Sequence, residues 1–207
     1  MSRYAILARI RAANPNPQSP PHEAKPAPAS LASTGADAVL RFRTAAEAKG
    51  VTVVDIDHPA ELPLAIARTL SAANLRADAI RLNDPALIGL PWSDANLTIT
   101  RGAAEPHDML ALSSAVSAVA ETGSLLLASG PDNPSSLAFL PETHLVTIAR
   151  STIVGTFEEA FALLRTRYDN SLPRAVNIIS GASRTGDIGG RIVQGAHGPR
   201  QLFVFIT

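Results

Sequence analysis

Residues 143–164 read THLVTIARSTIVGTFEEAFALL, and the two halves of this stretch follow different rules. Residues 143–149 are a run of apolar and β-branched side chains, which reads as a strand. Thr156 and Glu159 stand at capping-box spacing, with the threonine hydroxyl facing one end of a helix and the glutamate reaching back. That helix carries Ala160, Leu163 and Leu164 inward. A strand followed by a capped helix is the repeating unit of an α/β protein.

The same alternation extends in both directions. Toward the N-terminus, from Thr34 onward, Val39, Phe42 and Ala46 follow helical spacing and Gly50 supplies a stop. Val51-Thr52-Val53-Val54 then reads as a buried strand. Asp57 is placed to cap a further helix, with Pro59 in its first turn and Ile66 and Leu70 facing inward. Residues 79–82 and 97–100 are short strands. Toward the C-terminus, Val176-Asn177-Ile178-Ile179 is a strand that enters the loop 180–185, and residues 201–206 close the chain as a strand. The expected architecture is α/β, a single domain with a largely parallel central sheet flanked by helices.

Residues 111–128 stand apart. Small and β-branched residues precede Glu121-Thr122-Gly123, and an apolar run follows. A helix ending at Gly123 and a tight hairpin turning there both fit, and the hairpin is the favoured reading.

Composition sets the limits. The chain has 207 residues, of which 46% are hydrophobic, enough for a sizeable core. Only 4% are aromatic, so that core is aliphatic and rich in alanine. Eighteen basic residues balance eighteen acidic ones, which leaves no broad basic field for nucleic acid or anionic lipid. The longest apolar runs, residues 160–164 and 202–206, are too short to span a membrane. No cysteine is present, which excludes disulfides, cysteine-type zinc sites and thiolate ligation of an iron–sulfur cluster. His107 and His144 belong to no multi-ligand cluster in sequence, so no metal site is expected.

The first residues form an amphipathic helix over 2–13, with Ser2 as N-cap and Ile6, Leu7 and Ile10 on one face. Arg3, Arg9 and Arg11 are followed by no long apolar stretch, so a signal peptide is not read here and a cytoplasmic location is expected. Pro15, Pro17, Pro20, Pro21, Pro26 and Pro28 block helix and sheet over 14–30. That span is a tether, or an arm that lets the first helix dock on this chain or a neighbour. Residues 1–30 therefore read as an N-terminal helix plus a Pro-rich linker, and 31–207 as the α/β domain.

Two segments place glycine, small hydroxyl residues and charge beside an apolar strand: ETGSLLLASGPDNP at 121–134 and NIISGASRTGDIGGRIVQGAHGP at 177–199. Loops at strand ends are where open α/β sheets bind ligands. These segments also resemble the lactate-utilisation protein C family of LUD-domain proteins. Glu121-Thr122-Gly123 and Ser129-Gly130-Pro131 are similar to its ETG…SGP pattern. Ser183-Arg184-Thr185, Asp187-Ile188 and Gly195-Ala196-His197-Gly198-Pro199 are similar to its SRTADI…GVHGP signature. The match covers about residues 121–204, and the opening ILARIR adds a weaker likeness. Gly186 replaces the usual alanine and Gly189 a frequent acid. With Gly190 they loosen an expected helix start, at roughly 1 kcal/mol each.

The resemblance implies a fold similar to the NagB/RpiA/CoA transferase type. It implies a cluster-free subunit that supports oxidation of L-lactate to pyruvate together with two iron–sulfur partner proteins. No cofactor is then expected on this chain, the clusters sitting on the partners, and the absence of cysteine agrees with that division.

Individual residues carry competing readings. Glu121, beside a glycine turn, is placed as a base or nucleophile, by analogy with the glutamate of the related transferases. Alternatively it accepts turn N–H groups or pairs with Arg184. Ser180, Gly181, Ser183, Arg184 and Thr185, with Thr122 and Gly123, resemble a cradle for a small carboxylate or a phosphorylated ligand. The structural alternative is a capped turn with Arg184 paired to Asp187 or Glu121. His197 is a proton shuttle or ties its loop to a carbonyl. Asp132-Asn133-Pro134 starts a turn and caps the next helix, and Trp92 is a packing plug. Two rivals to the lactate-oxidising subunit remain. One is a stand-alone CoA transferase or sugar-phosphate isomerase using Glu121, the other a small-acid-binding regulatory or assembly module.

Overall fold

The computed structural model describes residues 2–13, 35–76, 79–188, 191–194 and 198–207, so the Pro-rich span expected over 14–30 lies outside it. Helix α1 (Arg3–Ala13) starts at Ser2, whose Oγ accepts the Ala5 N–H at 3.3 Å. Then come α2 (Gly35–Glu47), β1 (Thr52–Asp55), α3 (Leu62–Ala72), β2 (Ile80–Leu82), α4 (Pro85–Ile88) and β3 (Ile99–Arg101). The middle of the chain is β4 (Leu110–Ser114), β5 (Ser117–Val119), β6 (Ser124–Ala128), α5 (Ser136–Phe139) and β7 (Thr143–Ile148). It closes with β8 (Ile153–Val154), α6 (Phe157–Arg167), β9 (Val176–Ile179), β10 (Arg184–Ile188), β11 (Arg191–Gln194) and β12 (Gln201–Ile206).

Six strands make one sheet in the order β1-β12-β7-β4-β2-β3, and every neighbouring pair is parallel. All six residues of β7 are buried, as a central strand covered on both faces requires. On one face, Leu110, Leu112, Leu145, Phe203 and Phe205 pack with Ile66 and Leu70 of α3 and with Trp92. Trp92 is the expected packing plug, its Nε1–H satisfied by the Leu87 carbonyl at 2.8 Å. On the other face, Val53, Val146, Ile148 and Val204 meet Phe42 and Ala46 of α2 and Leu125 and Leu127 of β6.

Those last residues belong to a second sheet, order β8-β5-β6-β9, which the sequence reading, having the hairpin and the strand 176–179, did not separate from the central one. The hairpin itself is as read: β5 and β6 pair antiparallel, Ser117 opposite Leu126. The outer face of this sheet takes α6, with Val119 and Leu126 against Ala160. The capping box is complete: Thr156 Oγ1 accepts the Glu159 N–H at 3.3 Å and a Glu159 oxygen accepts the Thr156 N–H at 3.0 Å.

Three local expectations change. Asp57 does not cap the helix after β1. His58 Nδ1 accepts the Ala60 N–H at 3.2 Å, and a 3₁₀ turn at Pro59–Glu61 precedes α3, because the ring nitrogen reaches the N–H two residues on. Asn133 belongs to a turn, as expected, but caps no helix. Its Nδ2 donates to the Ser114 carbonyl at 3.2 Å and the Ala128 carbonyl at 3.1 Å, tying the ends of β4 and β6. No helix starts after Gly186: β10 and β11 form an antiparallel pair whose register shifts between Thr185 and Ile188. Glycine penalises a helix there, while Thr185, Ile188, Ile192 and Val193 suit a strand.

The hairpin turn is held by a close backbone approach. Gly123 has φ +62°, and a Cβ at this position would stand 2.4 Å from the Ala46 nitrogen of α2. Gly123→Ala is therefore expected to destabilise the protein by about 2 kcal/mol or more, through left-handed strain and backbone overlap together. A urea midpoint equal to that of the wild type would contradict this packing.

Candidate functional site

The approach of the ETG turn to α2 brings together residues far apart in sequence. Lys49, just beyond α2, donates from Nζ to the Thr122 carbonyl at 2.5 Å and to Ser180 Oγ at 2.6 Å. A chain of hydroxyls continues from there: Thr122 Oγ1 lies 2.9 Å from Ser124 Oγ, which lies 2.9 Å from Ser180 Oγ. Gly181 packs on Lys49, where a Cβ would meet the Lys49 Cβ at 3.0 Å. The Arg184 guanidinium lies over Gly50, so two cations converge on the C-terminal turn of α2, where the helix dipole favours positive charge. Among the described residues, no carboxylate lies within ion-pair distance of Lys49. Among the described residues its charge is met by neutral oxygens.

Beside this cluster is a cavity of about 210 Å³, walled by Ser180, Gly181, Ser183, Gly198, Phe139 and His144 among others. The Ser183 N–H donates to the Pro199 carbonyl at 2.8 Å, which joins the 180–185 loop to the HGP segment. His144 is the second residue of β7 and Leu202 of β12, so the cavity opens at the N-terminal edge of the parallel sheet. His144 is fully buried, with Nε2 2.7 Å from Ser113 Oγ. Its Nδ1 has no partner among the described residues, an omission that costs about 1–3 kcal/mol in a buried group. Burial pushes its pKa down to about 3, so the ring is neutral at physiological pH.

The expected site residues thus divide. Ser180, Gly181 and Ser183 line the cavity, Thr122 joins them through Lys49 and Ser124, and Gly123 packs on Ala45 and Ala46 of α2. Arg184 lies alongside at Gly50, not in the lining. Thr185 pairs with Val193 in β10, and His197 lies outside the described residues. Glu121 is half-buried, gives its N–H to the Gly155 carbonyl at 3.1 Å, and does not line the cavity. The Ser129-Gly130-Pro131 turn is carried to the opposite, C-terminal edge of the sheet, where the Pro131 carbonyl accepts from Asn83 Nδ2 at 2.7 Å. A second cavity there, about 270 Å³, is lined by Asp84, Ser114 and Arg167. Asp84 is already engaged by the Ser114 hydroxyl at 2.7 Å and the Ala86 N–H at 3.0 Å. A larger cavity of about 550 Å³ contains Arg81, whose guanidinium is paired with Asp108 at 2.8 and 3.2 Å.

Lys49 and Ser113 were missed in the sequence. Nothing distinguishes Lys49 from any lysine at a helix end, and Ser113 sits in an ordinary small-residue run. His144 was weighed only as a metal ligand, although a histidine inside an apolar strand calls for a partner of some kind.

An α/β protein with a parallel six-stranded sheet and a small cavity at a loop-built edge is what this geometry defines. The model of the LUD domain family matches residues 39–207, and the chain belongs to that family. The "Lactate utilization protein C" of Deinococcus radiodurans is 32% identical over 157 residues, covering 72% of this chain and 69% of its own. The protein of the same name from Anoxybacillus flavithermus is 30% identical over 131 residues, 63% of this chain and 48% of its own. The chain therefore spans about half the length of this curated relative. A solved structure of a DUF162 family protein from Deinococcus radiodurans shares the fold, with TM-score 0.64 and 25% identity over 84% of this chain and 98% of that one.

The buried imidazole makes a prediction about acid stability. Between pH 6.5, the ordinary histidine value, and about 3, the unfolded chain binds a proton that folded His144 refuses. Stability is complete above that window and falls as pH drops through it, by roughly 1 kcal/mol per pH unit from this group. Urea titrations of wild type and His144→Gln should converge as pH is lowered from 6.5. Parallel curves would show that the ring is not held neutral.

Proposed function

We propose that this chain is a cluster-free subunit that supports oxidation of L-lactate to pyruvate beside iron–sulfur partner proteins, and that it holds a small carboxylate next to Lys49. The observation that carries the site is Lys49, whose charge is met among the described residues by a carbonyl and by the hydroxyl of Ser180, a residue of the cavity wall. A carboxylate or phosphate oxygen there would gain a charge-assisted hydrogen bond from Nζ, with the Ser180 and Ser183 hydroxyls beside it. The pathway rests on membership of the LUD domain family and on relatives named for lactate utilisation. The lack of cysteine supports placing any thiolate-bound cluster on another chain. No helix among the described residues is long and apolar enough to cross a membrane.

In this reading the chain binds and orients the acid, and the electrons leave through centres held by its partners. Lys49 fixes the carboxylate end. The Thr122–Ser124–Ser180 hydroxyl chain keeps Ser180 directed at the lysine and the cavity wall. The rival transferase or isomerase reading needs Glu121 against the ligand, whereas Lys49 is tied to the cavity wall through its hydrogen bond to Ser180.

Deletion of the gene should abolish growth on L-lactate and spare growth on glucose. The intact gene and Glu121→Gln should restore it, and Lys49→Met should not. Pyruvate or L-lactate should raise the melting temperature of the wild-type protein but not of Lys49→Met. Rescue by Lys49→Met together with failure of Glu121→Gln would overturn the assignment in favour of glutamate chemistry.

A further inference from the structure

The chain order of the central sheet changes direction between β2 and β4. After β2 the chain moves outward to β3, and after β4 it moves the opposite way to β7. The two connections also leave on opposite faces. Leu87 and Trp92, which follow β2, pack with α3, whereas Leu125 and Leu127, which follow β4, pack with α2. Loops that diverge in this way leave a crevice beyond the carboxyl ends of the two strands, where open parallel sheets bind ligands. The cavity of about 270 Å³ lies at that place: Asp84 comes two residues after β2, Ser114 ends β4 and Ile148 ends β7, and all three line it. The bond from the Ser114 hydroxyl to Asp84, 2.7 Å long, spans the crevice from one strand to the other.

Two opposite charges line this cavity and neither is paired. Among the described residues, Asp84 and Arg167, the latter in the last turn of α6, have no ion-pair partner. Each Asp84 oxygen accepts one bond, from the Ser114 hydroxyl or the Ala86 N–H, and keeps room for another. Arg167 is exposed, and its guanidinium fork matches a phosphate. Much of the remaining wall is apolar, with Pro59, Leu62, Leu87 and Leu90. We propose that this crevice binds a mononucleotide, with a ribose hydroxyl donating to Asp84, the base against the leucines and the phosphate on Arg167. A hydroxyl donor, a flat apolar body and an anion occur together in such a ligand. A sugar phosphate lacks the flat body, and an amino acid lacks the sugar hydroxyls. The volume falls just below the roughly 300–1,000 Å³ of small-molecule sites, which admits a mononucleotide with its phosphate at the rim and not a dinucleotide. The site stands at the opposite edge of the sheet from Lys49 and does not depend on the carboxylate reading.

The test is calorimetry on the full chain with AMP, adenosine, ribose 5-phosphate and L-leucine as probes. AMP is expected to bind, and adenosine and ribose 5-phosphate to bind more weakly, each lacking one of the three contacts. Arg167 is exposed and unpartnered, so Arg167→Met should fold as the wild type does. Its affinity for AMP should fall about tenfold or more, to the level of adenosine, through the loss of a charge-assisted hydrogen bond. Asp84→Asn should weaken AMP and adenosine alike, by a similar factor, with its melting temperature as the check on folding. Unchanged AMP affinity in both variants would overturn the proposal, as would failure of all four probes to bind. Ribose 5-phosphate binding as tightly as AMP would show that the leucine wall takes no base and would overturn the nucleotide. L-leucine binding in place of AMP would do the same in favour of an amino acid.

Discussion

Gly123 rests on the backbone of α2 at a distance no side chain could tolerate, and the candidate site exists because of that contact. A hairpin turn has no reason of its own to meet the end of a helix that lies 70-odd residues earlier in the chain. Here the missing Cβ lets the turn settle on Ala45 and Ala46, three residues before Lys49. The lysine then reaches the Thr122 carbonyl and, across it, the first residue of the loop after β9. Widen that approach and the lysine loses both oxygens.

The second constraint is burial. A parallel sheet covered on both faces can keep polar side chains only where they find partners. Arg81 meets it with a two-point pair to Asp108 and a bond to the Arg101 carbonyl at 3.0 Å. Burial alone would raise the Asp108 pKa, but the hydrogen bonds from Arg81 and the Glu105 backbone outweigh it and hold the carboxyl below its ordinary value. Ser113 and His144 meet the same demand only in part, one bond made and one nitrogen left over. The fully compensated cluster is a structural brace. The partly compensated one leaves a neutral imidazole inside the sheet.

Much of the fold was legible from local pattern. The strand and capped helix of residues 143–164, the hairpin about Gly123 and the final strand each follow from spacing and from residue shape. The misreadings share a cause. Asp57 lost its capping place to His58, and Asn133 turned from a helix start to bridge two strands. In each case side chains with similar local options were chosen by what lay across the chain. The run after Arg184 was read through a family pattern that has an alanine where this chain has Gly186, and the glycines tipped it to a strand pair.

For the site, sequence alone picked out hydroxyls and glycines clustered beside strands: Ser180, Gly181, Ser183, Thr122 and Gly123. It also determined that this chain has no thiolate to offer a metal. It could not say that these two motifs part company, the ETG turn joining the 180–185 loop while the SGP turn goes to the other edge of the sheet. That separation comes from β6 running antiparallel to β9, which pairs Leu125 with Ile179 and sends the two ends of the hairpin in opposite directions. Nor could sequence supply Lys49, Ser113 or the neutral state of His144. A charge state and a partner depend on distance through space, and only the folded chain sets those distances.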